Sequence, residues 1–391
     1  MRYNFDNIIN RRGTDSYKYD NAKARGKPES AIPLWVAEMD FQIPQEATEA
    51  ILKCANHGIY GYTLTMEDYD RAVQYWFARY FGFESKSEWI VKTPGVVFAL
   101  AMAVRAFTNK NDSVMIQMPV YNPFAHVIKA NDRKVINNAL VYKEQGVYQI
   151  DFDDFQKKIV ENNVKMFILC SPHNPVGRVW TIEELQMIGK ICKQYDCLVI
   201  SDEIHCDLTY EGHVHRVFST VCDNNSVICT APSKTFNLAG LQVSNIFISD
   251  EELRRKFVAE VAKSGYSQLN TMGVAACKAV YQHGHDWLAE LHQYLQGNLQ
   301  VVRDAVKTMG VNTKKVKMVE PEGTYLVWLD FSAFGLPHVE VENRLLNDAG
   351  VWLGSGMDFG LGGEGFWRMN IACPRQVLKT ALDHMGRVFG K

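Results

Sequence analysis

An α/β fold with a large, mostly parallel sheet is the class this 391-residue sequence predicts, on three observations. Short apolar, β-rich runs alternate with longer amphipathic ones, the order that lays helices over both faces of a parallel sheet. Each apolar run closes in polar or turn residues, as buried strands do. The chain also exceeds the roughly 250–300 residues at which single cores stop growing, so a second, smaller unit is expected.

In chain order, "WIVKTP" (89–94) reads as a strand and "VVFALAMAVRAFT" (96–108) as the helix after it. "SVMIQMP" (113–119) is the next strand, followed by the helical patterns "NPFAHVIKAN" (122–131) and "DFDDFQKKIVEN" (151–162). "VKMFILCSP" (164–172) is a strand, and "TIEELQMIGKICKQY" (181–195) a helix. Its start is marked by Thr181 as N-cap with Glu184 three positions on, a capping box. "CLVISDE" (197–203), "SVICTAP" (226–232) and "VSNIFIS" (243–249) complete the strands of this part. From about residue 284 the pattern changes to a long helix, "HDWLAELHQYLQGNLQVVRDAVKTMG". The strands "GTYLVWLDF" and "FWRMNIAC" and a last helix, "PRQVLKTALDHMGRVF", follow. The division expected is a large unit over 45–283 and a smaller α+β unit formed by 1–44 with 284–391.

Composition narrows the function classes. A net charge of -2 and the lack of a dense Lys/Arg stripe argue against nucleic acid as a partner. Nine scattered cysteines with no C-x-x-C pair argue against a disulfide framework or a structural zinc and fit a reducing cytoplasm. The polar start "MRYNFDNIINRRGTDSYKYD" lacks the apolar core of a signal peptide. The longest apolar stretch carries Arg105 and falls short of the ~20 residues that span a bilayer, so no membrane association is expected.

In open α/β sheets ligands bind beyond the carboxyl ends of the strands. Five such ends carry chemistry: "TPGVV", "PVYNPF", "SPHNPVG", "SDEIH" and "PSKT". Gly95 on its own reads as a helix start, yet a glycine there also leaves free amides that suit a phosphate. Asn174 and Tyr121 each sit in a turn pattern. Asp202 and Glu203, after an apolar strand, need partners, and so does Lys234; an ordinary structural ion pair is the plain alternative to a site. Together the ends offer a phosphate cradle, an aromatic face, an amide, an acid and a lysine. Those are the parts that pyridoxal 5′-phosphate requires.

The chain resembles the fold-type I pyridoxal-phosphate enzymes with the aminotransferase class I/II fold, and among them the carbon–sulfur β-lyases of the cystathionine β-lyase and cystalysin group. "PLWVAEMDF", "YGYT", "TPGVV", "PVYNPF", "CSPHNPVGRVW", "SDEIHCDL", "APSKTFNLAGL", "GTYLVWLDF" and "RMNIACPR" stand in the family's order, almost end to end. The resemblance implies a seven-stranded-type sheet sandwiched by helices, beside the smaller α+β domain. It also assigns roles. Lys234 becomes the Schiff-base lysine and proton acceptor, Asp202 the partner of the pyridine nitrogen, and Tyr121 the stacking ring. Asn174 meets the phenolic oxygen, and His205 stands where many relatives have a tyrosine that does so too. Gly95, Val96, Val97 and Ser233 serve the phosphate, joined by Tyr62 from a second subunit, which implies a homodimer. Arg368 clamps the substrate carboxylate, leaving Arg375 a structural role.

Some positions depart from the pattern or read plainly. Aminotransferases of this fold usually carry an arginine eight residues after the lysine; Gln242 stands there, which the resemblance reads as the mark of a lyase acting on cysteine thioethers. Glu38 replaces the usual aspartate of the segment that lines the entrance. His213 and His215 could pair on one face for a metal, but a solvated turn with no metal is the expectation. The glycine-rich "SGMDFGLGGEGFW" reads as a loop near the substrate. Two alternatives stay open: an aminotransferase, and a pyridoxal-phosphate-binding regulatory protein, although no extra domain or DNA-binding motif supports the latter.

Overall fold

The structure is a computed structural model that describes residues 2–222, 225–311 and 314–390. Its frame is a seven-stranded sheet of β1 (Ile90–Thr93), β2 (Ser113–Ile116), β3 (Lys134–Asn137), β4 (Val164–Cys170), β5 (Leu198–Asp202), β6 (Ser226–Thr230) and β7 (Ser244–Phe247). The spatial order is β1-β7-β6-β5-β4-β2-β3. β2 to β6 pair in parallel, while β7 runs against both of its neighbours.

Both faces of this sheet are covered, and strand periodicity shows how. Along β4, Met166, Ile168 and Cys170 join one core while Phe167 and Leu169 join the other. Successive side chains point to opposite faces, so a strand buried on both must be apolar throughout. One face carries α3 (Val96–Phe107) and α4 (Pro123–Ala130) with α7 (Glu251–Lys263), whose Phe257 and Val261 pack in the same core. The other carries α5 (Phe152–Glu161) and α6 (Ile182–Gln194), together with α1 (Gln45–His57), α2 (Glu67–Phe81) and α8 (Thr271–His283).

All six strands expected between 89 and 249 are present, and β3 is the one that the seven-stranded sheet adds. β3 lies at the sheet edge, where Arg133 and Lys134 interrupt any apolar run, so its burial leaves little periodicity. The capping box of α6 is formed: the Thr181 hydroxyl accepts from the Glu184 amide at 3.2 Å, and the Glu184 carboxylate accepts from the Thr181 amide at 2.9 Å. Thr181→Ala is expected to cost about 1 kcal/mol, read as a lowered urea midpoint of unfolding.

The later part of the chain adds the long helix α9 (His285–Thr308) and a four-stranded antiparallel sheet. That sheet comprises β8 (Lys317–Val319), β9 (Leu326–Asp330), β10 (Gly354–Ser355) and β11 (Phe366–Asn370) in the order β8-β9-β11-β10. The last helix, α10 (Arg375–Phe389), packs on α9. The N-terminal arm joins this part: Ile32–Pro33 pairs in parallel with Val351–Trp352. Buried Lys18 and Arg11 hold Asp40 at 2.7 and 2.9 Å, so the arm is fixed by charge as well as by strand pairing. Among the described residues no helix is long and apolar enough to cross a membrane.

Candidate active site

Strand direction collects the site. β2, β4, β5 and β6 run parallel, so residues 120–121, 171–174, 202–205 and 231–234 leave at one edge of the sheet. β1 opposes β7, which opposes β6; two reversals return β1 to the common direction and bring Gly95 to that edge. The reversed strand β7 contributes its beginning instead, where Gln242 stands. These loops wall a cavity of about 720 Å³, closed from the far side by residues 35–37 of the N-terminal arm and by Phe359 and Arg368.

Lys234 sits on a single helical turn, Pro232–Thr235, just past β6. The turn is pinned from behind, because the Thr235 hydroxyl donates to the buried Asp207 carboxylate at 2.6 Å and the Trp76 indole donates to the same carboxylate at 2.8 Å. The lysine Nζ donates to the Ala37 carbonyl at 2.6 Å, an oxygen that also accepts from the Tyr325 hydroxyl at 3.1 Å. Burial, and then the Arg368 cation, pull the amine down to about 8 from its ordinary 10.5, against the attraction of Glu38 and Asp202. A neutral amine, able to act as nucleophile or base, is therefore accessible near neutral pH.

Asp202 is buried at the end of β5, and among the described residues its carboxylate accepts only the Ile204 amide, at 3.1 Å. Among the described residues no cation lies within ion-pair distance, and it does not pair with Lys234. Burial raises its carboxyl to about 7. Glu203, its neighbour, is the structural member: it accepts from Ser201 at 2.9 Å and the Phe218 amide at 2.8 Å, and meets His215 at 2.9 Å. His215 thus corrects the expectation of a solvated turn. It is buried because Glu203 needs a partner, and only His213 remains exposed. Among the described residues no cluster of metal-ligating side chains is present.

Arg368, on β11, is buried with its guanidinium 4.8 Å over the Phe359 ring. It donates to Asn174 Oδ1 at 2.9 Å and to the Trp35 carbonyl at 2.7 Å, and among the described residues its Nε has no partner. Burial lowers it to about 10. His205 is also buried beside Lys234 and Arg368; desolvation, then those two cations, hold it well below its usual range, so the ring is neutral, and Nδ1 is unpartnered. Arg375 instead lies over Tyr294 and donates to Asn298, outside the cavity, as expected of a structural residue.

The cavity wall also includes Tyr121, Asn174 and Ser233, and the start of α3. Gly95 caps that helix with φ 155° and ψ 158°, a conformation other residues rarely adopt. No side chain caps α3, so the first amides, at Val96 and Val97, remain free to meet an anion. Tyr62 is the exception among the expected residues: it is 97% exposed and does not line the cavity of its own chain. Tyr325, Trp35 and Asp207 were not foreseen as site residues. Each acts through a backbone carbonyl or from behind the lysine turn, and composition carries no mark of that. Glu38 pairs with Arg11 at 2.7 Å, and the glycine-rich stretch forms a tight turn whose Gly356 leaves no room for a Cβ against the Gly363 carbonyl.

The arrangement fits pyridoxal phosphate on its own terms. It offers a deprotonatable amine, a buried acid lacking a cation, free helix amides and an orphaned imidazole nitrogen around one cavity. Such a group would give each its missing partner.

Comparison with known proteins agrees with the geometry. The family model for aminotransferase class I and II matches residues 30–385. The chain is 43% identical over 382 residues to the cystathionine beta-lyase PatB of Bacillus subtilis (strain 168), covering 97% of this chain and 98% of that protein. Cystalysin from Treponema denticola, whose structure contains pyridoxal 5′-phosphate, is similar with a TM-score of 0.94 and 36% identity, over 99% of each chain. The pyridoxal-phosphate-bound C-S lyase of Staphylococcus hominis is similar with a TM-score of 0.91 and 33% identity, over 100% of this chain and 98% of its own.

Proposed function

The chain belongs to the aminotransferase class I and II family, and on that premise we propose that it is a pyridoxal 5′-phosphate-dependent carbon–sulfur β-lyase. It cleaves cystathionine or related cysteine thioethers to a thiol, pyruvate and ammonia. The observation that carries this reading is the meeting of Lys234, Asp202 and Arg368 at one cavity, none of the three in an ion pair among the described residues.

When bound, pyridoxal phosphate supplies an aldehyde for a covalent link and a ring that takes up the electron pair left on Cα. The protein's residues do the rest. Lys234 offers the amine for that link and, once displaced by the substrate amine, takes the proton from Cα. Asp202 holds a proton at the ring nitrogen, because a carboxylate in this dry position stabilises a cation strongly. Tyr121 gives the ring a face, and Asn174 keeps its Nδ2 for the phenolic oxygen, since Oδ1 already serves Arg368. Neutral His205 can add a hydrogen bond at the same oxygen. Gly95 shapes the α3 start so that the Val96 and Val97 amides, with the Ser233 hydroxyl, receive the phosphate. Arg368 grips the substrate carboxylate with a planar fork already held in place by Trp35 and Asn174.

Gln242 favours elimination over amino transfer. It is neutral, exposed and held at φ 49° at the start of the reversed strand, so no arginine anchors the phosphate there. An amino transfer must hold its aminated cofactor without a covalent link, whereas an elimination keeps one nearly throughout. Tyr62 supports a homodimer. It lies in an exposed apolar run with Ile59, Tyr60, Leu64 and Met66, a surface suited to a second copy whose cavity Tyr62 would complete.

The test is incubation of the purified protein with cystathionine and no keto acid. Pyruvate and free thiol in equal amounts are expected; an amino product that forms only when a keto acid is added would reverse the reading toward amino transfer. Arg368→Lys is expected to raise KM for the thioether about 10- to 100-fold, the loss of charge-assisted hydrogen bonds from a fork that an ammonium cannot copy. Steady-state pyruvate release measures it.

A further inference from the structure

Two guanidiniums, not one, face the cavity, and Trp35 holds both. Its carbonyl accepts from buried Arg368 at 2.7 Å, while its indole carries the Arg25 guanidinium 4.4 Å above the ring. The indole is itself immobilised. It stacks on Trp352 with centroids 4.4 Å apart and planes 14° from parallel, and its N–H donates to the Lys18 carbonyl at 3.2 Å. Arg25 also donates to the Tyr17 hydroxyl at 2.5 Å. Yet among the described residues no carboxylate is paired with it. A cation fixed on an aromatic shelf with its charge unanswered is preorganised for an anion.

Arg25 is exposed where Arg368 is buried, so the two mark the mouth and the floor of one cavity. Asp358, exposed and likewise without an ion-pair partner, lines the same cavity. Asp358 lies within the field of Arg368 but out of ion-pair reach of it, and an opposite pair of charges without contact partners suits neither an apolar tail nor a plain dicarboxylate, which Asp358 would repel. A zwitterion answers both.

We propose that Arg25 and Asp358 recognise the far end of the substrate, Arg25 its carboxylate and Asp358 its ammonium, so that thioethers whose sulfur substituent ends in an amino acid are preferred. This rests on the lyase reading above and adds to it the residues that read the far end of the substrate. It assigns no chemical step to either residue. Both act by positioning.

Three thioethers of L-cysteine separate the contributions: cystathionine, its analogue S-(3-carboxypropyl)-L-cysteine that lacks the far amine, and S-propyl-L-cysteine that lacks both charges. With the holoenzyme, Arg25→Leu is expected to lower the kcat/KM ratio of cystathionine to S-propyl-L-cysteine about tenfold, the worth of one charge-assisted hydrogen bond. Arg25→Lys should restore part of it. Asp358→Asn is expected to lower the ratio of cystathionine to the carboxypropyl analogue about threefold or more, a weaker effect because the pair is exposed. An unchanged first ratio in Arg25→Leu, or an unchanged second ratio in Asp358→Asn, overturns the assignment. If the unaltered protein releases pyruvate from none of the three, the lyase reading is what has failed. The same two ratios, taken then from binding constants read in the cofactor's absorption, still decide the role of Arg25 and Asp358.

Discussion

Lys234→Ala is expected to lower pyruvate release on the order of 10⁴-fold, the upper end of what loss of a general base costs, because the same side chain is also the covalent anchor. The protein should still fold. Lys234 is half-buried and makes one hydrogen bond, to Ala37, whereas the turn that carries it is held by Thr235, Asp207 and Trp76. Borohydride treatment of the holoprotein should fix the cofactor on a peptide containing residue 234, and no such peptide should form in the variant. A variant that retains more than about a hundredth of the activity would remove this lysine from the centre of the chemistry. The amine's titration gives a second check. Trace acetylation of the cofactor-free protein should show Lys234 half-reacted near pH 8, not near 10.5.

Asp202→Asn is expected to act in opposite directions on activity and on stability. Removing one partner of a buried ion pair typically costs about 3–5 kcal/mol. If that pairing is made with the ring nitrogen during turnover, the rate falls about 10²- to 10⁴-fold. Without the cofactor the carboxylate has no cation at ion-pair distance among the described residues, and burial raises its pKa from 3.8 to about 7 against the pull of Lys234. The folded-state value lies above the unfolded one, so the fold prefers the protonated acid. Its contribution is complete below pH 3.8 and is lost as pH rises through 7. The asparagine variant, which has no proton to lose, should therefore be the more stable cofactor-free protein at pH 8, by a margin of at most about 4 kcal/mol, and should gain nothing near pH 4. Denaturant midpoints at the two pH values measure the difference. Equal midpoints at pH 8 would mean that Asp202 finds a cation without the cofactor.

The elements that were legible in advance are those whose environment is uniform along their length. β4 and β5 are buried on both faces and carry the apolar stretches 166–170 and 198–200, and α6 announces its start through Thr181 and Glu184. β3 was not legible, because an edge strand answers to only one neighbour and tolerates charge. α1, α2, α7 and α8 went unnamed for a related reason: α2 carries aromatic residues on several sides, and its packing onto α8 is tertiary. At the site, Lys234, Asp202 and Gly95 stood out because an ionisable or backbone-permissive residue at a strand end is conspicuous. Trp35, Ala37 and Tyr325 did not. Two of them serve through carbonyl oxygens, which every residue possesses, and the third reaches one of those oxygens from 288 positions away. His215 illustrates the converse: its neighbours look like a surface turn, but Glu203, twelve residues earlier, draws it inside.

The hydrogen bonds that seat Lys234 and Arg368 join residues 197, 194 and 333 positions apart. No fragment that omits either the segment around Trp35 and Ala37 or the strand carrying Arg368 can therefore assemble this chamber, and it comes into being only when these distant stretches have come home. A vitamin lodged there is a ligand of the finished tertiary structure alone, so its occupancy must lend thermal resilience to regions that never touch it.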